Sequence, residues 1–506
     1  MKRSGVLGLV VAVCAGTMAP NAMAQLRVAN WNISNYNGGR AADLQTSIYE
    51  SFNGEAMAPD IFLCEEFLSQ AAVNSFLSIL NTAPGSPGDW AAAPFNNGND
   101  TDNAMFYRTS KVDFLGMTVI QIGAGPPLPP RDVNRYDVRI KDYAAPEAVI
   151  ALYASHMKAG SASSDQDRRL IEAQNIRANA ESLPAGWNFI LGGDFNIQSS
   201  SQSAYVHMTS SMANNDGRLF DPIFTPGNWN NTGTFRFVHT QDPIGAGGMD
   251  DRHDQLLASF SLVDGLGMDY IGDAAIPYST TTWNDPNHSY RAWGNDGTSF
   301  NTTLTTTGNS MVGPAVAQAL INVCVGAGHL PVFMDMRVPP KVDAPLVIDI
   351  GTVAQGSSVD AMVPVDNAGD VALWSANGIA DLNYTLFGSS GLSVTFGNYV
   401  AAAGSGNVHV VGVMTNIVGP IDETVSIVSD DIDEPNRMVQ IIGNVASVVC
   451  PGDADGNNAV DLADVNTVLF NFGNTVTPGT NGDVDGNGMV DLGDLNLVLF
   501  NFGNVC

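Results

Sequence analysis

Residues 188–197 read NFILGGDFNI. The run from Asn188 to Leu191 has the length and the β-branched and aromatic character of a buried strand. Two glycines follow, then Asp194-Phe195-Asn196. Side chains alternate along an extended backbone, so Asp194 and Asn196 project to one side and Phe195 to the other. A carboxylate and a carboxamide aimed together from the end of a core strand form a candidate site. The same residues suit a turn in which Asp and Asn bond their own backbone, and this segment alone leaves both readings open.

Outward from it, the chain repeats the arrangement. RVANWNI, PDIFLCE, NAMFYR, AVIALYASH and LPVFMDM read as strands. Polar groups stand at their ends: Asn32, Glu66, His156, Asp254 at the start of DQLLASFSLV, and His329 just before LPVFMDM. Functional groups collect at strand ends because a rigid scaffold holds the loops there. Leu170, Ala173, Ile176, Ala180 and Leu183 follow three-and-four spacing and predict a helix with one apolar face. Strands mixed with helices predict one large α/β domain over residues 25–338.

The chain of 506 residues is too long for one core. Lys2 and Arg3, an apolar stretch from Gly5 to Gly16 and the small-x-small pattern Ala22-Met23-Ala24 predict a secretory leader over residues 1–24, cleaved after Ala24. Its apolar part is too short to span a membrane, and no other segment has that length. The expected location is extracellular. Cys450 and Cys506 bracket the last segment and suit a disulfide in an oxidising compartment, whereas Cys64 lies in an apolar run as a small hydrophobe. The net charge of −30 is unevenly placed: residues 25–338 hold 17 basic and 31 acidic groups, and residues 450–506 hold no basic group and 8 aspartates. Strong sequence-independent binding of nucleic acid, which depends on neutralising phosphates, is not expected without metal ions.

After Val338-Pro339-Pro340 the composition changes. Short alternating runs such as LVIDIG, LSVTFG and NVHVVGVM, punctuated by Gly, Asn and Asp, predict an all-β sandwich of immunoglobulin type over 343–448, a spacer or adhesion module in which His409 has no evident partner. The last segment, 450–506, repeats itself: GDADGNNAVDLADVNTVLFNFGN begins at Gly452 and GDVDGNGMVDLGDLNLVLFNFGN at Gly482. Each copy sets oxygen side chains at loop positions one, three, five, nine and twelve: Asp453, Asp455, Asn457, Asp461 and Asp464, then Asp483, Asp485, Asn487, Asp491 and Asp494. A hard cation such as calcium takes six or seven oxygens from a turning loop of this kind. Gly488 stands at the sharp turn of the second copy, and Asn458, which tolerates the left-handed region, stands there in the first. Val465, Val468, Leu469 and Phe472, with their counterparts in the second copy, mark a helical stripe. The segment resembles a type I dockerin, which implies a small α-helical calcium-loop domain and a cohesin-like or other cell-surface partner. Loop positions ten and eleven, often hydroxyl residues in that family, are Leu462-Ala463 and Leu492-Gly493 here.

The ordered stations of the first domain (W-N, P-D-I with a glutamate seven residues after the proline, S-H, G-D-F-N, D-Q and H-L-P-V) resemble the endonuclease/exonuclease/phosphatase superfamily, whose best-known fold is DNase I-like. That resemblance implies a four-layer α/β/β/α sandwich with the site at one edge. It implies that Glu66 holds a divalent metal, magnesium or manganese, with Asn32 beside it. Asp194 would orient and deprotonate the attacking water, and Asn196 would bond the phosphate or help place that water. His329, paired with Asp254, would contact the phosphate, and His156 would be an acid for the leaving oxygen. Glu65 stands where the family usually has glutamine. The family's S-D-H is Ala327-Gly328-His329 here, with Asp250 or Asp251 near enough in sequence to Asp254 to compensate. Arg131 and Arg135 are candidate phosphate contacts, since guanidinium forks match phosphate. The expected function is a secreted, metal-dependent phosphodiesterase, a DNase-like nuclease acting on nucleic acid or another phosphodiester. A sphingomyelinase-like enzyme, a phosphomonoesterase and a degenerate, non-catalytic binding module are the alternatives.

Overall fold

The computed structural model describes residues 25–245 and 247–505. The leader and Cys506, hence the clasp to Cys450, lie outside them. The strands that the sequence predicts in the first domain are present. In chain order, its first half holds β1 (Leu26–Tyr36), α1 (Ala41–Tyr49), β2 (Ile61–Phe67), α2 (Gln70–Thr82), β3 (Trp90–Ala92), β4 (Asp102–Arg108), β5 (Val112–Gln121), β6 (Val133–Ile140) and β7 (Val149–Ser155). Its second half holds α3 (Ser163–Ala180), β8 (Asn188–Asp194), α4 (Ser203–Thr209), β9 (Leu219–Phe220), β10 (Asp254–Ser259), β11 (Asp269–Tyr270), β12 (Arg291–Ala292), α5 (Gly313–Val323) and β13 (Val332–Arg337).

These strands form two sheets. One runs β11-β13-β1-β2-β4-β3 with β12 also on β13, and the other runs β5-β6-β7-β8-β10-β9. Val28, Leu63 and Met334 of the first face Leu152, Ile190 and Leu256 of the second, and all six are fully buried. The first sheet turns its other side to α1, α2 and α5, through Trp31, Phe62, Phe76 and Leu320. The second packs against α3 and α4 through Tyr153, Leu191, Ile176 and Met208. This mixed α/β arrangement is the four-layer one expected. α3 departs from its predicted apolar face: Ala173, Ile176 and Ala180 are buried, but Leu170 is half-buried and Leu183 lies beyond the helix. Arg169 and Arg177 fill the inner face instead, with guanidinium groups spent on backbone carbonyls.

The glycines that end β8 have a packing reason. A Cβ on Gly193 would lie 1.9 Å from the Ser155 carbonyl oxygen, and one on Gly192 would lie 2.8 Å from Leu63 of the facing sheet. Only glycine lets β8 approach both neighbours this closely.

Beyond Val338 stand two further sheets, of four and five strands, around a core that includes Val363, Val411, Ile427 and Ile441. His409 does have a partner there, the Tyr384 hydroxyl at 2.8 Å. This region is not a detached spacer. Trp374 and Ile379, 1% and 3% exposed, belong to the core of the first domain. Val338 donates to the Gly378 carbonyl, and Ala380 donates back to Val338, both at 2.9 Å. Lys111 lies over the Trp374 ring, 4.3 Å from its centroid. In the last segment the helices α6 (Leu462–Asn471) and α7 (Leu492–Asn501) follow the two loops around four buried valines, Val460, Val468, Val490 and Val498. The expected stripe is half outside: Leu469 and Phe472 are about half exposed, and Phe470 and Phe500 are 90% and 88% exposed. Among the described residues no helix is long and apolar enough to cross a membrane.

Candidate functional site

The two readings of Asp194 are both realised, one on each oxygen. Oδ1 accepts from the backbone N–H of Asn196 at 3.1 Å, which is the turn. Oδ2 is the meeting point of three other segments: Asn32 Nδ2 donates to it at 3.1 Å, His156 Nε2 lies at 3.3 Å and His329 Nε2 at 3.6 Å. β1 delivers Asn32, the ends of β7 and β8 deliver His156 and Asp194, and His329 stands just before β13. Antiparallel pairing sets Asp254 of β10 directly opposite Asp194. Asp254 Oδ2 holds His329 Nδ1 at 2.9 Å.

Glu66 completes the cluster. Its Oε1 accepts from Asn32 at 3.0 Å and lies 3.8 Å from His156 Nδ1, and its Oε2 accepts from the Asn35 amide at 2.7 Å. Glu65 points the other way, into the core, where Asn30 donates to it at 3.2 Å and burial drives its carboxyl well above the usual range. Ser34, Asn35, Glu66 and Asn196 all have φ between +50° and +63°. Left-handed backbone in non-glycine residues is costly, and its concentration here marks over-determined geometry.

Neighbouring charges separate the two buried histidines. Burial lowers the affinity of His329 for a proton, but Asp254 and Asp194 outweigh it and raise that ring to about 10. Burial carries His156 well below its usual value, reinforced by the charges of Arg131, His329 and His253. His329 is therefore cationic and His156 neutral at physiological pH. Burial thus works against the expected role of His156 as an acid for the leaving oxygen. Asn32 stands directly beside Glu66. Its oxygen accepts from the Ser34 amide at 3.0 Å, so it presents its N–H group to the cluster and orients the two carboxylates. Asn196, half-buried, donates to the Met157 carbonyl at 3.2 Å.

The two arginines part company. Arg131 lies at the rim, within 3.4 Å of the Met157 carbonyl and of Asp100. Arg135 is not in the site: it bonds Asp137 and Asn179 between the second sheet and α3. Gly328 has φ +78°, and a Cβ there would meet the Cys324 sulfur at 2.3 Å, so this backbone has no room for an aspartate. Sequence reading passed over His253 and Arg252. Arg252 is fully buried and grips Asp221 through two bonds of 2.8 and 2.9 Å, anchoring the segment that carries Asp254. His253 is 7% exposed, 3.7 Å from Asp251, and neither of its ring nitrogens has a hydrogen-bond partner. The D-R-H-D run was the available signal, since three polar residues lead directly into the polar start of an otherwise apolar strand.

Glu66 and Asp194 supply carboxylate oxygens, the ligand type a hard divalent cation takes. Among the described residues they do not form a group of three converging ligands such as the last segment holds.

In the last segment, Asp453, Asp455 and Asp464 bring oxygens within 4.8 Å of one another, and Asp483, Asp485 and Asp494 do the same. Asp461 and Asp491 do not converge with them: they cap α6 and α7 through the amides of Ala463 and Gly493. Asn457 and Asn487 turn their amide nitrogens to Asp455 and Asp485. Asn458 has the left-handed φ expected of it, +65°.

No family model and no curated protein matches this chain. Solved structures do. An endonuclease/exonuclease/phosphatase family protein from Bacteroides thetaiotaomicron is 16% identical, over 62% of this chain and 94% of its own, with a TM-score of 0.35. A mannosyl-6-phosphatase from the same species is 16% identical over 62% of this chain and 99% of its own, also at 0.35. TDP2 from D. rerio, complexed with a single-strand DNA product, is 13% identical over 62% and 99%, at 0.36. Likeness at this level leaves the chemistry to be argued from the side chains.

Proposed function

We propose that the first domain is a metal-dependent phosphoric ester hydrolase. The observation that carries this reading is the convergence of Asn32, His156 and His329 on one oxygen of Asp194. Asp194 Oδ2 takes a proton from the attacking water, while Oδ1 stays fixed by the Asn196 turn. His329, held cationic by Asp254, faces the phosphoryl oxygens and gives its Nε2 proton to the leaving oxygen. The proton on Asp194 then returns to His329 across 3.6 Å, which restores both groups. Asn32 keeps the carboxylates of Glu66 and Asp194 aligned, and neutral His156 packs against both without adding charge. Glu66 would hold magnesium or manganese, which would neutralise charge on the phosphate. The test is hydrolysis of mono-aryl and bis-aryl phosphate esters with each metal, for wild type, Asp194→Asn and His329→Ala. Turnover by wild type that both variants lose supports the reading. No turnover by wild type with any divalent metal overturns it in favour of a binding module.

The leader composition supports export, and the paired loops of the last segment would each take calcium through the three converging aspartates. Tethering to a cohesin-like or other surface partner through that segment is part of the same reading. Mass spectrometry of the secreted protein, with Gln25 as the expected first residue, and calcium titration of the full chain test these parts separately.

A further inference from the structure

We infer that Glu172 and Arg169 of α3 are positioning residues for this site: they fix the backbone of Met157 and Lys158, and the Met157 carbonyl in turn orients Asn196 and Arg131. This rests on the hydrolase reading above and extends it one layer behind the cluster.

The segment that follows His156 has no regular structure, yet its backbone is fully engaged. The Met157 N–H donates to the Asp194 carbonyl at 2.9 Å. The Met157 carbonyl accepts from Asn196 Nδ2 at 3.2 Å and from Arg131 Nη1 at 3.4 Å. The Lys158 N–H donates to Glu172 Oε2 at 3.1 Å, and the Lys158 carbonyl accepts from Arg169 Nη1 at 2.5 Å. Arg169 also donates to the Gly160 carbonyl at 2.8 Å and to Gln202 at 3.1 Å.

The Met157 carbonyl and the Lys158 N–H belong to one peptide unit. That unit is planar, and in the trans form its C=O and N–H point opposite ways. Glu172, by holding the N–H, therefore aims the carbonyl at Asn196 and Arg131. Arg169 fixes the next peptide, so the first cannot turn about the Lys158 dihedrals. Each of the two side chains that the carbonyl holds keeps further donors for phosphoryl oxygens.

Packing alone does not account for the pair. The inner face of α3 is apolar at Ala173, Ile176 and Ala180, but Arg169 and Glu172 are fully buried on it. Burial pushes the Glu172 carboxyl up to about 8 against the pull of the Lys158 N–H and of Arg131, Arg169 and Arg168, and its Oε1 has no hydrogen-bond partner. A buried carboxyl held on one oxygen destabilises a core that an apolar residue would fill at less cost. What it gives in return is the direction of one carbonyl. Arg168, beside Arg169, donates to the Leu128 carbonyl at 2.6 Å and so ties down the loop that leads to Arg131.

The test is a double-mutant cycle on the full chain, with the bis-aryl ester and magnesium. Glu172→Ala should lower kcat/KM about 30-fold and Asn196→Ala about 100-fold, since small misplacements of a contact cost this much. The double variant should lose no more than about 300-fold, well short of the product, because one residue acts through the other. Glu172→Gln, whose amide oxygen still accepts from Lys158, should stay within about threefold of wild type. Arg169→Lys keeps the charge but loses the fork, and should fall about tenfold. Arg177→Lys is the control: that guanidinium grips the carbonyls of His207, Ser210 and Asn214, so its loss should lower the melting temperature and leave kcat/KM unchanged. Losses that multiply in the double variant, or Glu172→Ala and Arg169→Lys proteins that melt earlier with unchanged kcat/KM, would overturn the inference and leave the hydrolase reading standing. No turnover by wild type would overturn the hydrolase reading, and inorganic phosphate with magnesium then becomes the probe. Binding weakened by Glu172→Ala and restored in Glu172→Gln would keep the positioning role, and binding that neither variant changes would end it.

Discussion

Asp453, Asp455 and Asp464 come from one loop, whereas Asn32, His156, Asp194 and His329 come from four segments spread across a whole domain. Both are acidic centres, but they are held differently. In the loop, backbone amides do the holding: Asp464 Oδ1 accepts from Ala454 and Asp455, and Oδ2 accepts from Asp461. In the first domain side chains hold one another, and sheet register sets the distances. A local centre can be remade by a twelve-residue sequence. A distributed one exists only while two sheets and their helices are packed.

The sharpest way to break that comparison is at Asp194. Asp194→Asn should lower kcat at least 1,000-fold on the best ester, since it removes the base while keeping the shape, and a chelator should abolish turnover as fully. Retained activity would mean that the convergence is structural. The next effect in size is on stability. Trp374→Ala should cost about 3–5 kcal/mol, because the ring is buried in the core of the first domain. Chemical denaturation would show this as a loss in the first domain, although the residue lies outside its stretch of sequence. Asp464→Ala, by contrast, should remove calcium-dependent stabilisation of the last segment, about 2.7 kcal/mol at a hundredfold excess over the dissociation constant, and leave ester hydrolysis unchanged. The last effect is a slope with pH. The His329 value is raised in the folded state, from its usual 6.5 to about 10, so its contribution is complete below pH 6.5 and lost as pH climbs through 10. Asp254→Asn should flatten unfolding free energy against pH over that window.

The same contrast explains how far the sequence could be read. The loop aspartates were legible from spacing alone, yet spacing could not separate Asp461, which caps a helix, from Asp464, which turns inward. The strands of the first domain were legible from their apolar runs, and the polar residues at their ends pointed to the cluster. Protonation was not legible: His156 and His329 look alike in sequence, and only their unequal company of carboxylates makes one neutral and the other cationic. Arg135 looked as available as Arg131, because nothing local reveals that Asn179 and Asp137 lie across from it. Gly328 looked like a missing acid, and its reason, the Cys324 sulfur, lies four residues back on a turn that no periodicity announces. Trp374 sits in a stretch that reads as part of another module, so its place in the neighbouring core depends wholly on tertiary contact.

That tryptophan gives the boundary near residue 340 a practical meaning. A fragment cut there, the natural choice from composition, would leave an open socket where the indole belongs and a strip of the first domain's interior facing water. Such a fragment should aggregate, while one ending near residue 448 should be soluble and melt in a single transition. Any exchange of the β-sandwich for another would have to bring its own plug for the place of Trp374 and Ile379.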